Sequence, residues 1–388
     1  MDFTIPKELE SELIKFNDFI KSYLKPRLPQ WQKEKEYPRT FFEELGKQGW
    51  LGFDLKDGAI IEQPYLKQAL LMEALAKVSP GMAITMLVQI SLGTKGLHLF
   101  GTEAQKQKHF ASAIRGETLL CVGNTENLAG SDVANISARA EQVEGGWILN
   151  GAKSYVTNGN IADYAIVTAV SDPDAARTRK LSLFWVDLNS PGITRYKLNK
   201  DVWIPSDLTR IEMKDVFVPE ENLMGIRGKG LSHILEIFTN SRITISALAL
   251  GTAAGAFEMG LQHAQKRDVF GQKIADFQAK SFEIANFYAR MEAARMMLYK
   301  ACWTKDQMQQ DFRLEASMAK YLTVDIAKQV ANWAADLFGA ASVVVDHPVH
   351  KFPLDAWAVA LGEGTQDVQR LVIFREAMKR SGYPQSDR

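Results

Sequence analysis

Cysteine is scarce in this 388-residue sequence, which has only Cys121 and Cys302, far apart in the chain. Neither belongs to a Cys-x-x-Cys pair or a similar ligand spacing, which argues against a structural zinc site. Low cysteine usage of this kind is typical of reduced proteins, so we expect a cytoplasmic location. The six histidines show no paired spacing either, and no metal site is predicted.

Net charge is also missing, because 46 Lys and Arg residues balance 46 Asp and Glu residues. A chain without a global field is not drawn to nucleic acid or to an anionic membrane. No run of about 18 uncharged apolar residues occurs, and the first residues do not form a basic region followed by an apolar one. We therefore expect small-molecule partners, with no nucleic acid and no membrane insertion.

Glycine-rich phosphate loops are absent as well. The nearest match to Gly-x-Gly-x-x-Gly consists of Gly225, Gly228 and Gly230, whose spacing is wrong and which do not lie in a βαβ unit. A Walker loop is not present. A Rossmann-type nicotinamide enzyme is thus disfavoured.

The sequence does show a change of character along its length. Up to about residue 118 the apolar residues recur at helical spacing, and from 119 to 222 short β-prone runs alternate with glycine-containing turns. Helical spacing then returns in long segments that suit a bundle. We predict an α+β fold with an N-terminal helical domain (1–118), a small β-barrel or sandwich (119–222) and a C-terminal four-helix bundle (223–388).

Glu363 is the candidate catalytic residue. It lies between Gly362 and Gly364, immediately before a strongly helical segment. A partly desolvated glutamate placed over a ligand can reach the pKa that a general base needs, and flanking glycines let the backbone approach the ligand. The spacing by itself favours a plainer interpretation, in which Thr365 is the N-cap of the helix and Asp367 complements the helix dipole.

Three further segments combine glycine with polar side chains. They are 125–132 (Thr-Glu-Asn-Leu-Ala-Gly-Ser-Asp), 155–159 (Tyr-Val-Thr-Asn-Gly) and 267–271 (Arg-Asp-Val-Phe-Gly). Taken singly, the first two are ordinary turns between strands, and Arg267 is as well explained by a solvated arginine at a helix end. An arginine in that position is also suited to bind phosphate, because its guanidinium group can pair with two oxygens.

Taken together and in this order, these segments resemble the acyl-CoA dehydrogenase family. The resemblance runs from about residue 70 to the end and is strongest from Leu119 onward. It implies an FAD-dependent enzyme of fatty acid metabolism, in which Glu363 removes the α-proton of an acyl-CoA thioester and flavin N5 accepts the β-hydride. It further implies an electron-transfer flavoprotein as acceptor. It also implies a homo-oligomer, dimer or tetramer, whose subunits complete each other's FAD sites.

The family's functional residues carry over to the matching positions of this chain. Ser131, Arg242 and Gly364 are the substrate-binding residues that the resemblance implies. The branched-chain members place a glutamate directly before the arginine that matches Arg242; here that residue is Ser241, so one base is available. The implied cofactor-binding residues are Thr125, Ser131, Tyr155, Thr157, Arg267, Phe270, Gln278, Phe338, Gly339, Gly364 and Thr365.

Several positions depart from the family pattern. Asn127-Leu128 replaces the Pro-Gly of the flavin loop, Ala340 replaces the second glycine of a Phe-Gly-Gly turn, and Gly362 replaces an aromatic residue before the base. These changes leave alternatives open. One is an acyl-CoA oxidase, or a dehydrogenase for acyl groups on a carrier protein, with the same fold. Another is a non-catalytic flavin or acyl-CoA binding protein whose flavin loop has drifted.

Overall fold

A computed structural model describes residues 4–308 and 311–382, so the outer ends of the first and third predicted domains, 1–3 and 383–388, lie outside the described residues. The N-terminal part is mainly helical. Short π-helical segments, Ile20–Leu24 and Val88–Thr94, join α1 to α2 and α5 to α6. The helices are α1 (Lys7–Phe19), α2 (Lys25–Glu34), α3 (Thr40–Lys47), α4 (Tyr65–Val78), α5 (Pro80–Leu87), α6 (Lys95–Phe100) and α7 (Glu103–Ile114).

The N-terminal part also contains a β-hairpin that helical periodicity did not predict. Strands β1 (Phe53–Lys56) and β2 (Ala59–Glu62) pair antiparallel around the turn Asp57-Gly58. Both turn residues have positive φ, 52° for Asp57 and 79° for Gly58, which is the geometry that Asp-Gly favours in two-residue hairpins. The dipeptide was therefore a usable signal for this hairpin.

The central part is a single eight-stranded sheet. Its hydrogen-bonded order is β10-β7-β6-β4-β5-β9-β8, and β3 runs parallel to β6. This path is open, but contacts between β3 and β5 and between β7 and β9 curl the sheet towards the predicted barrel. The strands are β3 (Leu120–Gly123), β4 (Arg139–Val143), β5 (Gly146–Val156), β6 (Tyr164–Val170), β7 (Leu181–Asp187), β8 (Ile193–Lys197), β9 (Thr209–Pro219) and β10 (Leu223–Met224).

The C-terminal part is the predicted four-helix bundle. Its helices are α8 (Gly230–Lys266), α9 (Gln278–Trp303), α10 (Arg313–Phe338) and α12 (Gln366–Arg380), with the short α11 (Lys351–Ala358) before α12. α10 packs against α8, α9 and α12. Between α8 and α9 lies a small hairpin of β11 (Asp268–Val269) and β12 (Gln272–Lys273).

Helix α8 connects the three parts. It contacts α4 and α5 of the N-terminal part, β6 and β7 of the sheet, and α10 of the bundle. By length and composition alone α8 could cross a membrane, but 83% of its apolar window is buried inside the protein, so it is a core helix. The order of helical, β and helical parts is confirmed, while the boundaries after residues 118 and 222 stay predictions.

Candidate active site

The candidate base lies in the loop between α11 and α12. Thr365 is the N-cap of α12, and its hydroxyl accepts a hydrogen bond from the Val368 N–H at 3.4 Å. Glu363 and Gly364 both have positive φ, 49° and 89°. A left-handed residue other than glycine costs about 1–2 kcal/mol. The base therefore lies in a strained turn, and strained backbone conformations are concentrated at functional sites.

The carbonyl groups of this loop point into the bundle. The ammonium group of Lys320, on α10, donates to the carbonyl oxygens of Gly362 and Gly364. Gln369 Nε2 donates to the carbonyl oxygens of Glu363 and Gly364 at 3.1 and 2.9 Å. Both donor side chains are fully buried. The turn is thus fixed from two helices, by one charged donor and one neutral donor.

The carboxylate of Glu363 occupies an unusual environment. The residue as a whole is partly exposed, but its Oε2 atom is buried and has no hydrogen-bond partner in the described part of the chain. Burial raises the pKa of Glu363 above its ordinary value, and the positive charges of Lys320 and Arg242 act in the opposite direction. A buried carboxylate between two cations has the environment of a tuned acid–base group.

Arg242 lies beside this carboxylate, as the resemblance implies. It projects from α8, is 4% exposed, and donates to the Ser317 hydroxyl at 3.2 Å, while its Nε has no partner among the described residues. Burial and the neighbouring Arg313 lower the pKa of Arg242 to about 10, although Glu363 opposes this. The preceding residue, Ser241, is buried and donates to the carbonyl of Phe238 at 3.1 Å.

The two predicted flavin-binding turns are joined to each other. The Ser154 N–H donates to the Thr125 carbonyl at 2.8 Å, and the Ser154 hydroxyl donates to Asn127 Oδ1 at 2.7 Å. Glu126 and Ala129 exchange backbone hydrogen bonds at 3.0 and 3.1 Å. Asn127-Leu128 therefore forms a tight turn, with the Leu128 side chain 90% exposed. The departure from Pro-Gly leaves this loop well formed.

A buried ion pair lies beneath the first turn. Glu126 is 6% exposed and accepts from Lys153 Nζ at 2.7 Å, from the Ser137 N–H and hydroxyl at 2.7 and 2.5 Å, and from the Ala138 N–H at 2.9 Å. Lys153, on β5, has no exposed surface. Since Ser137 and Ala138 are at the far end of the same loop, Glu126 holds both ends of it.

The exposed side of the two turns suits FAD. The side chains of Thr125, Ser131, Tyr155 and Thr157 are exposed or half-buried and make no hydrogen bond within the described residues. A Cβ built on Gly130 would meet no atom within 4 Å, so the backbone is open to close approach. Free hydroxyls beside open backbone match a cofactor that combines a polar ring system with phosphates.

The third predicted set lies elsewhere on the bundle. Phe270 is at the tip of the β11–β12 hairpin and is 98% exposed, with a φ of 51°. Phe338, at the end of α10, stacks on His263 of α8 with ring centroids 4.0 Å apart. Nearby exposed residues from the same set are Arg267 at the end of α8, Gln278 at the start of α9 and Gly339 after α10.

This set is far from the base in the same chain. Arg242 and Arg267 are about 25 residues apart along α8, which corresponds to about 37 Å at the helical rise. The structure thus brings together Glu363, Arg242 and Gly364 in one place and joins the two flavin turns in another. It leaves the Arg267 set at a distant end of the bundle.

Family models match almost the whole chain. The N-terminal, middle and C-terminal domains of acyl-CoA dehydrogenase match residues 8–117, 121–216 and 228–378, respectively. The chain belongs to the acyl-CoA dehydrogenase family. The predicted family, the α+β fold and the oxidoreductase class are confirmed.

Relatives of this acyl-CoA dehydrogenase match most of its length. A probable acyl-CoA dehydrogenase of Bacillus subtilis (strain 168), YngJ, is 32% identical over 381 residues, covering 98% of this chain and 100% of the relative. The caffeyl-CoA reductase-Etf complex subunit CarC of Acetobacterium woodii is 30% identical over 355 residues, covering 91% of this chain and 93% of CarC.

Solved structures agree with these relatives. Butyryl-CoA dehydrogenase from Megasphaera elsdenii has a TM-score of 0.91 at 30% identity, over 97% of this chain and 100% of that one. The FAD complex of PigA has a TM-score of 0.91 at 28% identity, over 98% and 100% of the two chains. The acyl-CoA dehydrogenase described here is an FAD enzyme, as predicted.

Sequence reasoning missed Lys320 and Gln369. A signal for Lys320 was present, because it lies on the same helical stripe as Ala316, Ala319 and Thr323, all of which are buried. A lysine on an apolar stripe must find a partner inside the protein. No comparable signal marks Gln369 within the polar sequence of α12.

Proposed function

We propose that this acyl-CoA dehydrogenase oxidises an acyl-CoA thioester to its α,β-unsaturated product, with Glu363 as the base that removes the α-proton. The environment of Glu363 carries the proposal. Its Oε2 atom is buried without a hydrogen bond among the described residues, and Lys320 and Arg242 supply positive charge beside it. Burial makes the carboxylate more basic, while the two cations keep it able to ionise.

The turn around the base also supplies a hydrogen-bond donor. The Gly362 carbonyl points towards Lys320. Because a trans peptide group is planar, the N–H of Glu363 points away from Lys320, to the other side of the loop. We infer that this N–H donates to the thioester oxygen as negative charge develops there during α-proton removal.

The residues that would hold FAD are Thr125, Ser131, Tyr155 and Thr157. When bound, FAD supplies the ring nitrogen that accepts the hydride from the β-carbon. The chain's own task is to hold the two turns at a fixed spacing, which the Ser154 hydrogen bonds to Thr125 and Asn127 accomplish.

The space beside the base bears on the acyl group. A Cβ built on Gly362 would meet no atom within 4 Å, and this is the position where the family resemblance leads one to expect an aromatic side chain. We propose an acyl group of fatty acid metabolism that carries a branch or a ring near the reacting carbons, because that part of the site is unfilled.

For the electron acceptor we propose an electron-transfer flavoprotein. Support comes from the relative CarC, whose name places it in a complex with Etf. A cytoplasmic location also remains a proposal, supported by Cys121 and Cys302, which are both unpaired and buried.

We propose a homo-oligomer, a dimer or a homotetramer, as the working form. The support is the distance of about 37 Å along α8 between Arg267 and Arg242, which lies beside the candidate base of the same chain. The Arg267 set would instead contact the FAD of a neighbouring subunit. Such an assembly would bury apolar side chains on the bundle surface. Among them are Phe282, Tyr288, Leu371 and Phe374, which are 53–63% exposed in the single chain.

The test is the visible spectrum of the purified protein as acyl-CoA is added without oxygen. We expect bound FAD, and we expect its oxidised absorption band to disappear with one or more members of a panel of straight, branched and cyclic acyl-CoAs. Glu363→Gln is the matched control, which should hold FAD but bleach far more slowly. A protein that cannot be loaded with FAD, or a control that bleaches at the normal rate, would contradict the proposal. Rapid peroxide formation in air would indicate an oxidase instead.

A further inference from the structure

Lys320 has no part in the proton and hydride transfers described above, yet it lies at the centre of the site. It projects from the middle of α10 and has no exposed surface. A buried ammonium group needs acceptors and a counter-charge to offset its lost hydration. Lys320 finds its acceptors in the carbonyl groups of Gly362 and Gly364, and its counter-charge in Glu363.

These contacts are specific to the strained turn. The two acceptors are the residues on either side of Glu363, so one ammonium group spans the base. Glu363 and Gly364 are both left-handed, a conformation that a glutamate does not hold without support. Charge-assisted hydrogen bonds are stronger than neutral ones, which makes Lys320 the stronger of the two donors that hold the turn.

We propose that Lys320 is a positioning residue for Glu363, whose ammonium group fixes the Gly362–Gly364 turn and whose charge keeps the Glu363 carboxylate ionised before substrate binds. This proposal rests on Glu363 being the base. The same side chain would then set both the direction and the protonation state of the reacting group.

The charges around the pair determine the sign of the effect. The charged groups near Lys320 are Glu363, in the α11–α12 loop, and Arg242, on α8. Arg313 of α10 lies next to Arg242. Burial raises the pKa of Glu363. Lys320 and Arg242 both lower it, and Lys320 has the larger effect of the two. Removing the Lys320 charge therefore raises the pKa of Glu363 further. The pKa of Lys320 is itself lowered to about 8 by burial, so its support should weaken as the pH rises through that value.

The experiment compares Lys320→Met with Gln369→Met. Methionine is unbranched and close to both side chains in length. The first variant removes two hydrogen bonds and a charge; the second removes two hydrogen bonds to the same turn and no charge. For each FAD-loaded protein, kcat/KM is measured against pH with butyryl-CoA and isobutyryl-CoA, using whichever bleaches the wild type faster.

We expect Lys320→Met to move the midpoint of the acidic limb upward by about 1–3 pH units, as loss of a neighbouring opposite charge does. At a pH below the wild-type midpoint its kcat/KM should fall by about 10-fold to 1000-fold, and it should recover in large part above the new midpoint. Gln369→Met should lower kcat/KM at every pH and leave the midpoint where it is. An unchanged midpoint in Lys320→Met, or equal shifts in both variants, would overturn the proposal.

Two additions keep the outcome clear. If Lys320→Met does not fold, as judged by FAD content and the thermal unfolding midpoint, Lys320→Gln takes its place, since it keeps an N–H donor but loses the charge. The titration of the Glu363 carboxyl is also followed by infrared difference spectroscopy, with Glu363→Gln identifying the band. That signal reports the effect of Lys320 even if Glu363 proved not to be the base, and an identical titration in wild type and Lys320→Met would refute the inference directly.

Discussion

Replacing Lys153 by methionine would show what the buried ion pair under the flavin loop contributes. In the wild type, Lys153 Nζ donates to Glu126 at 2.7 Å, to the Asn124 carbonyl at 3.3 Å and to the Thr168 hydroxyl at 3.4 Å. Methionine fills a similar volume, so little cavity forms and the main loss is the charge. Glu126 keeps its hydrogen bonds from Ser137 and Ala138 but is left as a buried carboxylate without a cation.

The expected loss can be worked out from the protonation of Glu126. Removing one partner of a buried ion pair costs about 3–5 kcal/mol. Glu126 can limit this by taking up a proton, which from an ordinary pKa of 4.5 costs about 3.4 kcal/mol at pH 7 and about 1.4 kcal/mol at pH 5.5. We therefore expect Lys153→Met to lower the free energy of unfolding by about 3 kcal/mol at pH 7 and by about 1 kcal/mol at pH 5.5.

The direction of this pH effect follows from the two states of Glu126. In the wild type burial raises the pKa of Glu126, but Lys153 and the hydrogen bonds to Ser137 and Ala138 outweigh burial and lower the pKa overall. In the wild type the Glu126 carboxylate therefore stabilises the folded protein above pH 4.5, and this stabilisation is lost as the pH falls through the folded-state pKa of Glu126. Without Lys153 burial prevails and the pKa is raised, so the deficit of the variant is largest near neutral pH and shrinks in acid.

The assay is urea denaturation at pH 7 and pH 5.5, followed by tryptophan fluorescence, since Trp147 and Trp185 are buried in the sheet. The FAD dissociation constant is measured on the same samples and should rise by about tenfold for each 1.4 kcal/mol lost from the bound form of the loop. The control is the double variant Lys153→Met/Glu126→Gln, which leaves no buried charge and should recover most of the stability. A loss at pH 7 below about 1 kcal/mol, a loss that does not change with pH, or a double variant no better than the single one would refute this reasoning.

Further predictions concern three other positions. Glu363→Gln should slow flavin reduction by acyl-CoA by about 10²–10⁴-fold in stopped-flow measurements with FAD content unchanged, and a normal rate would end the assignment of the base. Gly362→Tyr should fold and hold FAD, because the space there is open, but should lower kcat/KM for branched acyl-CoAs at least about tenfold more than for straight ones; an equal loss for both would contradict the open-pocket interpretation. Burial raises the pKa of Asp355 from 3.8 to about 7, so the stability it lends is lost as the pH rises through 7. Asp355→Asn should therefore flatten the dependence of the unfolding midpoint between pH 5 and pH 8, and an unchanged slope would disprove it.

The sequence allowed much of the architecture to be predicted, because periodicity and turn residues are local signals. The change from helical to β-prone patterning near Leu119 marked the sheet, and the resemblance carried by segments such as 125–132 identified the family. The N-cap role of Thr365, which belonged to the plainer interpretation of this region, is confirmed by its position before α12. The roles of the site residues, Glu363 above all, stay predictions until they are tested.

What sequence could not supply are contacts between residues that are distant in the chain. The hydrogen bonds that hold the turn of the base join Lys320 to Gly362 and Gly364, which are more than 40 residues away in the sequence. Only the tertiary packing of α10 against α12 brings these residues together. The support of the flavin loop joins Glu126 to Lys153 in the same way. Neither lysine belongs to a sequence motif that identifies it, because each contacts the buried side of a loop and does not itself belong to that loop.

The length of α8 has a genetic consequence. In the proposed oligomer a fault at Glu363 and a fault at Arg267 in the same subunit affect two different sites, because Glu363 serves its own subunit while Arg267, at the far end of α8, contacts the FAD of a neighbouring subunit. A cell that makes one copy with Glu363→Gln and another with Arg267→Glu would build mixed dimers, each with one site that has both residues intact. With random pairing half of the dimers are mixed, so about a quarter of all sites would work. Two alleles that are inactive alone would complement each other in the same cell.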